Sequence, residues 1–225
     1  MPLGSSLHNK IMRTKTFVTV LLISFVVTSC IPKKSQLNPV TYLEQLLTVN
    51  TCKNPCWLGI EPSTTFDVKD IQEILIQFYG NENVFIDPKA NRTVFWRITN
   101  TDFPQHGSVV LDEDKKVVHT QVFFDDEYHI TVGNLISVIG EPEYVLLISH
   151  SYPQDFRCDG IWGILYPQSG LEVLISQTTE SIEQSQFIGY IGIEKPNLLD
   201  DKHWWSDSTT YMTVQWEGYN NYCVN

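Results

Sequence analysis

The feature that most limits what this chain can become is an apolar run near its beginning. Residues 17–27 read Phe-Val-Thr-Val-Leu-Leu-Ile-Ser-Phe-Val-Val, with Lys10, Arg13 and Lys15 before them, no acid anywhere upstream, and Thr28, Ser29 and Cys30 after them. Basic, then apolar, then small residues is the order of an export signal. The run is too short to cross a hydrocarbon core of about 30 Å as a helix. Ile31-Pro32-Lys33-Lys34-Ser35-Gln36 behind it reads as a tether. The expected division is therefore a signal over 1–29, a tether over 30–38 and a folded part over 39–225. Residues 12–29 form a complete signal by themselves, which makes Met12 a candidate start.

Val27-Thr28-Ser29-Cys30 resembles the lipobox of bacterial lipoproteins, with Val where Leu is more usual. In that family a branched aliphatic, two small residues and an obligatory cysteine are read by the lipidating and cleaving enzymes. The resemblance implies that Cys30 is acylated and becomes the first residue. A lipid anchor would then hold the chain on a cell membrane, outside the cytoplasm.

Removing the first 29 residues leaves 12 basic against 26 acidic residues, a net of −14. A chain so acidic has no clusters of Lys or Arg with which to neutralise phosphates, so nucleic acid is an improbable partner. With 42% hydrophobic and 18% charged residues it has the composition of a globular protein. Once Cys30 is acylated, Cys52, Cys56, Cys158 and Cys223 remain. An even number outside the cytoplasm points to disulfides, in one of three connectivities. Asn54-Pro55 favours a turn that brings Cys52 and Cys56 together, leaving Cys158 to pair with Cys223. A metal site is the competing reading, weakened because no C-x-x-C pair is present.

Leu43, Leu46 and Leu47 mark a short helix over 39–48. A second follows Thr64-Thr65-Phe66-Asp67, a capping-box pattern, with Val68, Ile71, Ile74, Leu75 and Phe78 as its stripe and Gly80 as its stop. Thr131 caps a third, carrying Val132, Leu135, Ile136 and Ile139 up to Gly140. Strand patterns fall at 93–98, 108–111, 117–124, 145–149, 161–166, 171–175, 187–193 and 209–217. The turns Asp112-Glu113-Asp114-Lys115-Lys116 and Pro167-Gln168-Ser169-Gly170 each join two of them as hairpins. The expected class is α+β: helices on one face of antiparallel sheet in one two-layer domain. The order of helix then strands occurs twice, a weak repeat dividing it into units 39–128 and 129–225.

Two further resemblances bear on this fold. The helix-ending segment 131–142, closing on Ile139-Gly140-Glu141-Pro142, looks like that of the small lipoproteins of the outer-membrane assembly machinery, which implies a β-lactamase-inhibitor-like fold. Cys52-Lys53-Asn54-Pro55-Cys56-Trp57-Leu58-Gly59-Ile60-Glu61-Pro62, followed by Thr64-Thr65, is similar to a Cys-x-x-Pro-Cys-Trp-x-Gly-Ile-x-Pro segment of certain bacterial envelope lipoproteins. That match implies an address and a fold rather than an activity.

For chemistry the chain offers little. It contains no G-x-S-x-G, H-E-x-x-H, Walker loop or dinucleotide fingerprint. His106, His119, His129, His150 and His203 are never spaced as ligands on a helix and read as ordinary surface or strand histidines. Asp112-Glu113-Asp114 and Asp125-Asp126-Glu127 lack the alternating spacing of a calcium loop and read as solvated turns. No enzyme, metal or cofactor is expected. Aromatic residues crowd the C-terminal part, with Trp204 and Trp205 in a loop beside Asp200-Asp201, and Tyr211, Trp216, Tyr219 and Tyr222 beyond; Trp216, alternating with Met212 and Val214, fits the core. Trp204 and Trp205 are the candidate binding residues, since large rings beside a polar rim suit an interface. The expected function is a non-catalytic envelope protein that binds or scaffolds another macromolecule, a protein partner first. The alternative is a carbohydrate-binding lipoprotein that holds a glycan on the same two tryptophans.

Overall fold

The computed structural model describes residues 38–47, 52, 55–89, 91–99, 104–125, 130–149, 157–196 and 210–223. Cys30, Trp204, Trp205, His129, His150 and His203 lie outside them. No helix among the described residues is long and apolar enough to cross a membrane.

Among the described residues three α-helices form: α1 (Pro39–Leu47), α2 (Val68–Tyr79) and α3 (Val132–Ile139). Asn38 Oδ1 accepts from Val40 N at 2.8 Å and so satisfies an otherwise orphaned donor at the start of α1. The capping box expected before α2 is absent. Thr65 instead bridges to Lys116, and the N-cap residue Asp67 makes no cap bond, its carboxylate pairing with Lys115 across the hairpin turn. A capping box does start α3, where Thr131 Oγ1 accepts from Asn134 N at 3.2 Å and Asn134 Oδ1 accepts from Thr131 N at 3.1 Å. Both α2 and α3 stop at the expected glycines, Gly80 and Gly140, with φ near 90° where a side chain would be strained.

Nine strands among the described residues make one antiparallel sheet: β1 (Val84–Ile86), β2 (Thr93–Ile98), β3 (Gln105–Leu111), β4 (Val117–Phe124), β5 (Tyr144–Ser149), β6 (Gly160–Tyr166), β7 (Leu171–Thr179), β8 (Ile188–Glu194) and β9 (Thr210–Gln215). Their order is β1-β2-β3-β4-β8-β7-β6-β5-β9. The α+β expectation therefore holds only coarsely, because the fold is mostly sheet. β1 was not anticipated, being three residues long.

One face of the sheet carries the core. Val94, Trp96, Val109, Val122, Ile191, Val173, Ile164 and Val145 are buried there under the helices, α2 packing on β1 and β2 and α1 against α3. Cys52 and Cys56 are bridged. The Leu58-Gly59 turn that follows, both residues at positive φ, pairs Trp57 with Ile60 and drives both side chains to complete burial. Trp57 stacks on Trp96 (ring centroids 6.4 Å apart) and Tyr79 stacks on Trp96 from another side (5.6 Å). A Cβ at Gly107 would lie 2.4 Å from the Trp96 ring, so the tryptophan occupies the space that glycine leaves. Part of this cluster's polar edge is paired internally: Trp57 Nε1 donates to Tyr79 Oη at 2.9 Å, and Gln105 Nε2 donates to the hydroxyls of Tyr79 and Tyr42, whereas Trp96 Nε1 and Gln105 Oε1 are buried and meet no hydrogen-bond partner among the described residues. Trp57 and Ile60, with the turn between them, thus form a plug for the core. A second disulfide, Cys158–Cys223, joins the entry to β6 to the chain beyond β9.

Candidate functional site

Residues paired directly across antiparallel strands project to the same face. Following the register from edge to edge, Phe85, Phe95, Ser108, Gln121, Gly192, Glu172, Leu165, Tyr144 and Gln215 form one continuous row on the face away from the buried core. Two residues along, the neighbouring row runs Arg97, His106, Phe123, Tyr190 and Leu174. On the other side it runs Thr93, Val110, His119 and Glu194. This face, which carries no helix among the described residues, has two chemically distinct parts.

Over β1 to β4 and β8 it is aromatic. Phe85 stacks on Phe95 at 5.6 Å, His106 on Phe123 at 5.0 Å with planes 10° apart, and Phe123 meets Tyr190 at 5.0 Å. Phe85, Arg97 and His106 are exposed, and Phe95, Phe123 and Tyr190 are half-buried. Gln121 Nε2 donates to Ser108 Oγ at 2.8 Å within the row that begins with Phe85 and Phe95. The result is a ladder of rings with polar groups between and beside them.

Towards the sheet centre it is buried and titratable. His119, Glu172 and Glu194 are only 5%, 6% and 7% exposed. A Cβ at Gly192 would stand 2.6 Å from Tyr190 Oη; its absence lets the phenol lie back over the glycine, 3.1 Å from His119 Nε2. His119 Nε2 is also 3.8 Å from Glu194 Oε1, yet burial lowers the imidazole to about 4, so at neutral pH the ring is uncharged and this is not an ion pair. Burial, with Glu194 adding to it, pushes Glu172 up to about 7. Burial also raises Glu194, and burial and both glutamates raise Tyr190. Burial therefore favours the uncharged form of each member: a protonated carboxyl or phenol, and an imidazole without its second proton. Among the described residues no three His, Cys, Asp or Glu are arranged to hold a metal ion.

Of the residues singled out from sequence, the four cysteines pair as expected, Cys52 with Cys56 and Cys158 with Cys223. His106 is an exposed strand histidine, whereas His119 is buried against Tyr190. Asp112-Glu113-Asp114 is a turn, with Asp112 Oδ1 accepting from Lys116 N at 2.9 Å. Met212 is exposed instead of filling the core, while Val214 and Trp216 pack against it. The aromatic ladder and the glutamate pair were missed. Their trace in the sequence is the alternation of Phe95 with Arg97 and of His119, Gln121 and Phe123 at positions ordinarily left to small polar residues, and single glutamates inside apolar strands. No family model, curated protein or solved structure matches the chain.

Proposed function

We propose that this chain is a non-catalytic lipoprotein, anchored through Cys30 to a membrane outside the cytoplasm, that binds another macromolecule through the face of its sheet opposite the three described helices. The observation that carries the binding part is the aromatic ladder, in which Phe85 and His106 stay exposed at the edge of half-buried Phe95, Phe123 and Tyr190. Rings flanked by Arg97, Gln121 and Ser108 offer apolar area with a polar surround, the composition of an interface centre. The net charge of −11 argues for a protein partner over nucleic acid. Support for the anchor is the Val27-Thr28-Ser29-Cys30 ending of the apolar run.

The two-unit reading belongs to the same proposal. α2 with β1 to β4 and α3 with β5 to β8 would be two copies of one helix-and-meander unit, as in a β-lactamase-inhibitor-like fold, meeting where β4 pairs with β8.

Photocrosslinkers placed in cells at Phe85 and at His106 test the surface. A discrete adduct with one identified envelope protein is expected, lost when Phe95 and Phe123 are both changed to Ala. Equal crosslinking from Lys69 on α2 would remove the face from consideration. Intact mass of the membrane-bound form tests the anchor, which is wrong if Cys30→Ala leaves processing and attachment unchanged.

A further inference from the structure

Beside the C-terminal turn lies a shallow, widely open cleft of about 480 Å³ between two short segments, Ser181–Gln184 and Tyr219–Asn221. This is the volume range of small-molecule sites. Both walls are pinned. Ile182, buried at 1% exposure, donates its N–H to Asn220 O at 2.9 Å, and Tyr222 N donates to Glu180 O at 3.2 Å. Gln186 Nε2 donates to Ser181 O at 2.7 Å, and Gln184 O accepts from Gly133 N at 3.0 Å. On the opposite wall Tyr222 Oη accepts from Glu217 N at 2.8 Å and donates to Gly218 O at 2.7 Å, closing the turn, while Cys223 is tied by its disulfide to Cys158. Trp216 stacks on Tyr222 and meets Tyr219 edge to face at 5.6 Å.

What this frame presents is specific. Asn220 Oδ1 accepts from Asn221 N at 2.8 Å and Asn221 Oδ1 accepts from Cys223 N at 2.9 Å. Each amide oxygen is thus committed to the backbone, and each NH₂ is left as the donating end. Gln184 and Ser181 add side-chain amide and hydroxyl groups, Glu183 a carboxylate, and Tyr219 a ring that is 39% exposed. Among the described residues no basic side chain lines the cleft, so these walls lack the charge an anionic ligand would need. An apolar ligand would bury the amides without partners. A ring with polar hydroxyls and an apolar C–H face satisfies both wall types.

We infer that this cleft binds a neutral saccharide, one sugar unit seated against the Tyr219 ring with its hydroxyls on the amides of Asn220 and Asn221. The site shares no residue with the aromatic ladder, so it stands or falls independently of the partner-binding reading.

The test uses the full chain with both disulfides intact, in a detergent without sugar headgroups. It is titrated with free glucose, galactose, mannose and N-acetylglucosamine while the side-chain amide resonances of Asn220, Asn221 and Gln184 are followed by NMR. At least one sugar should shift them saturably, with affinity on the order of millimolar. Tyr219→Ala should weaken that binding about tenfold or more. If that variant does not fold, Gln184→Ala serves instead, since its backbone carbonyl keeps the bond to Gly133. The proposal is overturned if no sugar moves these resonances, if the shifts centre elsewhere, if inorganic phosphate binds there and no sugar does, or if the folded variant binds as tightly as the parent.

Discussion

Glu172 and His119 pull the pH dependence of stability in opposite directions. The folded state holds a proton on Glu172 between its ordinary 4.5 and about 7, where the unfolded chain has released it, so stability falls as pH rises through that window. His119 behaves inversely: between about 4 and 6.5 the unfolded chain binds a proton that the folded chain refuses, so stability rises with pH there. Each effect is on the order of 3 kcal/mol at full burial, and over the overlapping window they offset one another. Glu172→Gln should therefore stabilise the protein above pH 7, with the gain shrinking towards pH 4.5 in urea melts; a gain independent of pH would show that Glu172 is ordinary. Gly107→Ala is a second residue-scale case. Its Cβ would meet Gln121 O at 2.3 Å as well as the Trp96 ring, and neither backbone nor stacked indole has room to yield. A loss of about 3 kcal/mol is expected from denaturant midpoints, and a near-neutral variant would mean the Trp57–Trp96–Tyr79 stack is looser than described.

The elements themselves were largely legible. Helices announced themselves through stripes such as Ile71, Leu75 and Val132, Leu135, with Gly80 and Gly140 as stops, and strands through short β-branched runs. Caps were less so, because a hydroxyl and an acid at the right spacing do not show which competing partner wins. Thr65 bridges to Lys116 and Asp67 pairs with Lys115, whereas Thr131, although its backbone also bridges to Phe187, keeps its hydroxyl on the Asn134 amide. Thr131→Ala should accordingly cost about 1 kcal/mol, and Asp67→Ala should leave the urea midpoint of the whole domain unchanged. Equal losses would contradict this assignment of the caps. What no local pattern revealed is the register, and with it the alignment of His106, Phe123 and Tyr190 into one ladder, since partners on separate strands are chosen by the whole sheet.

At the scale of the molecule, the Cys158–Cys223 bridge closes a loop with a separation of 65 residues and ties the β6 entry to the chain beyond β9. By the chain-entropy account it contributes about 4 kcal/mol, against about 2 kcal/mol for the Cys52–Cys56 loop. Replacing Cys158 and Cys223 by Ser should lower the melting temperature more than replacing Cys52 and Cys56, and the reverse order would show that the short bridge acts by holding Trp57 in place. The strand order carries a different consequence, one of time. In the finished sheet β4 is an interior strand, paired with β3 on one side and β8 on the other. During synthesis its second partner is still far off, separated from it by α3 and three further strands. Until β8 arrives, the Val117–Phe124 strand is a bare edge, with Val122 and Phe124 on it, and open edges recruit other chains. The emerging protein thus passes through an interval in which a chaperone clamped on that strand would decide between folding and aggregation.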